Sequence, residues 1–133
     1  MAVTITRVQK DFGKENQHRT VEIVTFEWTS DGSGNASSPV DLQGFLVKAI
    51  TNPDGTAAPT DDYDITLADP NDASLDALAS TLANRDTSNT EQVYPFVSGA
   101  PTPIFLSGTY TFTVANAGAS KAGVAIFYLV DSL

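Results

Sequence analysis

The chain is 133 residues long, the length of one domain with room for a core of its own. It has no cysteine and one histidine, His18, which excludes disulfides, thiolate chemistry and histidine-rich metal clusters. A formal charge of −9 sets its surface against nucleic-acid phosphates and anionic membranes, so neither is expected as a direct partner.

Charged residues make up only 17% of the chain, and Thr, Ser, Ala, Asp, Asn and Gly fill the difference. That composition favours strands and turns. The opening MAVTITRVQK is mostly polar and alternating, unlike a secretory leader. Val3 to Val8 alternates apolar and polar residues, the pattern of a half-buried strand. Residues 9–18, with Gly13 and Asn16, read as a long loop or hairpin tip. Arg19 to Trp28 is β-branched and aromatic, with Val24, Phe26 and Trp28 on one face and Val21 and Ile23 on the other. A strand apolar on both faces belongs inside a sandwich or beneath a partner chain.

Residues 29–39 form a turn cluster, and Val40 to Ile50 is the next strand, its phase broken near Gly44 as at a β-bulge. Turn signals fill 51–61, and Tyr63, Ile65 and Leu67 then alternate with Asp62, Asp64 and Thr66. Leu75, Leu78 and Leu82 behind Ser74 predict one short helix over 74–82. Glu91 to Val97 is a strand that Pro95 confines to an edge. Tyr110, Phe112 and Val114 alternate with threonines, and Gly118 sits where a tight connection needs a left-handed residue. The final strand, Val124 to Val130, is apolar on both faces and therefore central. It is expected to form a hairpin with the threonine-rich strand before it. Together these elements predict an all-β, antiparallel sandwich of jelly-roll type in a single domain, residues 1–133, carrying that one helix.

Candidate chemistry is sparse. His18 lies in a polar loop beside Arg19 and reads as solvated. No GxSxG, HExxH or GxxxxGK motif occurs. Asp61, Asp62 and Asp64 cluster, but the last two share one solvent face of a strand and read as a charged outer surface. Asp31, Ser33 and Asn35, and again Asp69, Asn71 and Asp72, carry oxygens at spacings that calcium loops use and that ordinary Asx-turns use too. Trp28, Tyr63, Tyr94 and Tyr110 are candidates for a sugar-binding platform. Their phase with the aliphatic residues of their strands reads instead as core or subunit interface. No catalytic residue, cofactor site or metal site is assigned.

The charge is unevenly placed. Arg7, Lys10, Lys14 and Arg19 stand against two acids in residues 1–19, whereas Lys48, Arg85 and Lys121 face fourteen acids in the rest. Residues 1–19 are thus a candidate contact arm, and Trp28, Phe127 and Tyr128 are candidates for core or oligomer contacts.

The runs FLVKAITNPDGTAAPTDDYDITL, LANRDTSNTEQVYPF and GTYTFTVANAGASKAGVAIFYLV resemble small structural proteins of tailed-bacteriophage head and head-to-tail gene clusters. The resemblance implies a non-enzymatic virion protein, a decoration (cement) protein on the outer surface of the phage head. It implies a homotrimer bound to the major capsid protein, with residues 1–19 as the capsid-contacting arm. A tail, baseplate or collar protein, or a carbohydrate-binding sandwich module, is the alternative.

Overall fold

The computed structural model describes residues 2–12 and 19–133. These form nine strands: β1 (Ala2–Phe12), β2 (Arg19–Thr29), β3 (Ala36–Pro53), β4 (Asp64–Ala68), β5 (Glu91–Val93), β6 (Phe96–Val97), β7 (Ala100–Pro101), β8 (Ile104–Ala115) and β9 (Ala122–Val130). The protein is all-β. Seven strands make one antiparallel sheet in the order β1-β2-β9-β3-β8-β4, with β5 also on β3, and β6-β7 is a separate small hairpin.

The sheet folds on itself across β3. The first half of that strand pairs with β8 from Ala36 to Leu46, and the second half pairs with β9 from Phe45 to Pro53. One leaf is therefore β1-β2-β9-β3, and the other is β3-β8-β4. Phe26 of β2 and Phe112 of β8 are not neighbours in the sheet order, yet they stack at 4.1 Å between ring centroids, with Phe127 of β9 against both. Val24, Phe26 and Trp28, with Ala125, Phe127 and Leu129, line the inner side of the first leaf and are buried against Leu106, Tyr110 and Phe112 of the second.

Gly44 marks the fold line. Its φ is 126°, and a Cβ there would lie 2.7 Å from the carbonyl oxygen of Val130, where β9 ends. The register shift lies between Leu46 and Lys48. Gly44 is thus the hinge and Val47 the bulged residue, a little beyond the expected break.

Strand β3 takes in residues 36–39 and 51–53 of the expected turns, and the strand expected over 91–97 is split into β5 and β6. Three further sequence expectations are corrected. Strand β1 runs on to Phe12, so residues 9–12 extend the ladder against β2, while residues 13–18 of the expected loop lie outside the described residues. Strand β9 is central, as its two apolar faces require, but it forms no hairpin with β8, because β3 lies between them. The connection from Asn116 to Lys121 instead crosses between leaves. It is pinned where Ser30 N–H donates to Lys121 O at 2.8 Å and Ala117 N–H donates to Gly34 O at 3.0 Å, with Gly118 at φ 83°.

The third correction concerns residues 74–82, which form consecutive turns and no helix. Leu78 and Leu82 are buried, yet Leu75 is 54% exposed, and Ala79 and Ser80 have φ of 51° and 63°. Two turns of helix are too few to persist alone. The competitor is the open side of β4, which takes the segment's backbone hydrogen bonds: Ala77 N–H to Leu67 O at 2.8 Å, and Ile65 N–H to Leu82 O at 3.0 Å. The Asp76 carboxylate organises this roof. It accepts from the N–H groups of Leu67 and Leu78, both at 3.0 Å, and of Ser80 at 3.1 Å.

Asp76→Ala leaves three amides without that acceptor. We expect it to destabilise the protein by about 2–3 kcal/mol, measured by urea unfolding, with an unchanged m-value. Burial pushes the Tyr63 phenol up to about 12, against smaller opposing effects of Thr51 and Arg85. The unfolded phenol ionises near pH 10. Stability is therefore constant in this respect below pH 10 and falls between about 10 and 12. Tyr63→Phe should flatten that alkaline fall.

Candidate functional site

Directly opposed residues of an antiparallel ladder share a face. The outer face of the β1-β2-β9-β3 leaf can thus be read row by row across its strands. One row is Lys10, Val21, Val130 and Phe45. The next is Val8, Ile23, Tyr128 and Lys48, and the next is Thr6, Thr25, Ile126 and Ile50. A last row, Thr4, Glu27, Val124 and Asn52, brings the face back to polar character. Phe105 of β8 extends the first row, its ring 5.2 Å from that of Phe45.

This leaf is apolar on both sides. Its inner side chains complete the core, whereas Val8 is 45% and Phe105 58% exposed, and Val21, Ile23, Ile126, Tyr128 and Val130 are only half-buried. From strand spacing and rise, the apolar rows span roughly 300–400 Å², the size at which an exposed patch commonly marks a contact surface. At its border Lys48 Nζ lies 4.5 Å from the Tyr128 ring centroid and 3.3 Å from Gln92 Oε1, while Gln92 Nε2 donates to Tyr94 Oη at 2.9 Å. The one cation beside the apolar rows on β3 is therefore drawn towards β5.

Among the described residues three concavities border this leaf, the first on its inner side. A polar groove of about 540 Å³ lies between the β1-β2 and β3-β8 ends. Arg7 is committed inside it, with Nε 3.7 Å from Glu22 Oε2 and a bond to the Asp41 carbonyl oxygen. Asp131 there accepts from Thr20 N–H at 3.2 Å, and Asp41 accepts from the Thr109 hydroxyl. The groove is a latch holding β1 to β3. A second hollow of about 570 Å³ runs from Trp28 to Asn52 and Asp54. A third, about 530 Å³ and mostly apolar, is lined by Val93, Tyr94, Pro95, Phe96, Pro101 and Pro103.

The basic residues assigned to an arm do not form one patch. Arg7 points to the latch side of β1, while Lys10 falls on the outer face at the end of the apolar rows. Arg19 lies opposite Phe12 at the far end of the β1-β2 ladder. Lys14 and His18 lie outside the described residues. Residues 2–12 are an integral edge strand of the body. Trp28 and Phe127 are core residues, and Tyr128 is on the outer face. Of the four aromatics considered for sugar stacking, Trp28, Tyr63 and Tyr110 are buried, and Tyr94 alone is open, at 54%.

The acidic clusters hold loops together. Asp64 accepts from Asn84 N–H at 2.9 Å and from Asn116 Nδ2 at 2.8 Å, and Asp61 accepts from Thr87 N–H at 3.2 Å. Asp31, Asp69 and Asp72 each close an Asx-turn on backbone amides. No group of three or more His, Asp or Glu side chains is placed to hold a metal ion among the described residues. The sequence reading missed Phe105 because it placed the strand's start at Thr109. The apolar run Ile104-Phe105-Leu106 was the available signal.

No protein-family model matches the chain, and no curated protein matches it in sequence.

The amides of Asn35 and Ser33 hold the Asp31 carboxyl below its ordinary 3.8, and those of Ala57 and Thr56 do the same for Asp54. A depressed folded pKa contributes stability above the unfolded value and loses it as pH falls. Stability should therefore decline from about pH 4 downward. Asp31→Asn should reduce that acid dependence, as followed by thermal unfolding between neutral pH and strong acid.

Proposed function

We propose that the chain is a non-enzymatic structural protein of a tailed-phage virion, a decoration protein that binds the major capsid protein on the outside of the head and stabilises the shell. One observation carries the reading: the leaf β1-β2-β9-β3 has a complete core on its inner side and a second apolar face on its outer side. A β-sheet that needs only its own core alternates apolar with polar residues. Here Ile23, Ile126, Tyr128 and Val130 occupy positions that alternation would give to polar side chains.

The mechanism is burial. Covering the outer rows against a shell surface removes apolar area from water at roughly 25 cal/mol per Å². Self-association multiplies the contacts, so that release requires several to break together. The resemblance of residues 40–130 to phage head proteins supplies the partner, and the acidic charge of the remaining surface keeps unattached copies soluble.

The test is binding to emptied, expanded heads, with the heads' thermal midpoint as a second readout. The parent protein should bind and raise the midpoint. Val8→Asp with Phe105→Asp, at positions 45% and 58% exposed, should abolish binding while changing the protein's own stability by less than about 1 kcal/mol. Retention of full binding by that variant overturns the reading, as does a glycan-binding monomer with no affinity for heads. Immunogold labelling of virions distinguishes head from tail.

A further inference from the structure

The two ends of the folded sheet are treated differently. The outer side of β4 is roofed by residues 75–85, whose backbone bonds to Ile65, Leu67 and Asp69. Among the described residues, strand β1 is bonded to β2 on one side only, over eleven residues and without a bulge. From Thr6 to Phe12 every residue of it is exposed. A regular, open edge of this kind is a template for one more strand.

We propose that β1 pairs with β1 of a second copy, antiparallel across a two-fold axis at Gln9. Geometry narrows the register. Opposed residues in an antiparallel ladder share a face, so in a two-fold pair one residue must oppose its own copy. Centring on Arg7 sets two guanidinium groups against each other, which is unfavourable. Centring on Gln9 places Arg7 opposite Asp11 of the second copy, twice, and lays the Lys10 stem over Val8, again twice. No other residue of β1 taken as the centre sets its two arginine–aspartate pairs together. The bonds of Arg7 to Glu22 and Asp41 use Nε and Nη2, so the incoming carboxylate is taken at Nη1.

The product is one sheet in the order β3-β9-β2-β1-β1-β2-β9-β3. Its two-fold axis is perpendicular to the sheet, so both outer apolar faces lie on the same side. This arrangement rests on the proposed docking role of that face and doubles its extent. It replaces the trimer that the resemblance implies.

The chain has no cysteine, so an introduced one reports without background. Light scattering of the intact protein should give a dimer. Gln9→Cys should form a disulfide-linked dimer under mild oxidation, while Thr4→Cys, on the same strand but far from its own copy, should not. Asp11→Lys should weaken dimerisation by roughly tenfold, two attractive cross-strand pairs becoming repulsive. A monomer, a trimer, or a dimer in which Thr4→Cys cross-links as readily as Gln9→Cys overturns the pairing. A monomer that still binds heads removes this pairing alone. A disulfide-linked Gln9→Cys dimer that does not bind heads, when the parent dimer does not bind them either, removes the decoration reading alone.

Discussion

Strand β3 must belong to two leaves at once. Over its first half it carries β8, and through β8 it carries β4. Over its second half it carries β9, with β2 and β1 beyond. The turn between the halves is made at Gly44, where the backbone has a φ open to glycine and where any side chain would strike the end of β9. Everything else is arranged by that bend. It brings Phe26 over Phe112, and it leaves the first leaf with a face that the second cannot cover.

Much of this was legible in the residues. The all-β class followed from alternation and turn chemistry. The centrality of β9 followed from its two apolar faces, but the strand expected over 91–97 is divided at Pro95 into β5 and β6, which belong to different sheets. There the structure interrupts the chain between β5 and the small β6-β7 hairpin. What failed were inferences that take neighbours in sequence to be neighbours in space. The hairpin expected between β8 and β9 is natural for two strands joined by a short turn, but β3 competes for the same edges and is longer than either. The helix failed for a related reason. Leucine spacing from Leu75 to Leu82 reports only that some of these side chains are buried. It does not distinguish a helix from turns whose amides are claimed by β4 and by the Asp76 carboxylate.

The candidate surface was half legible. Arg19 to Trp28 and Val124 to Val130 announced two apolar faces each, and those faces prove to be adjacent on neighbouring strands. Val8, Phe45 and Phe105 joined the patch only through register, which is a property of the sheet and not of any one segment. The basic residues near the N-terminus look like a cluster in sequence. Period-two geometry separates them, sending Arg7 into an internal latch and Lys10 to the opposite face.

The roof over β4 has a consequence for how this protein can grow into larger objects. A sheet with two bare ends can add copies without limit and become a fibre. This sheet keeps other one-sided stretches, at β5 and over Ile104–Tyr110 of β8, but at the β4 end the roof leaves a second copy no ladder to extend. Residues 75–85 therefore close the β4 end to growth, and the leucines buried beneath them, Leu78 and Leu82, keep that stopper in place.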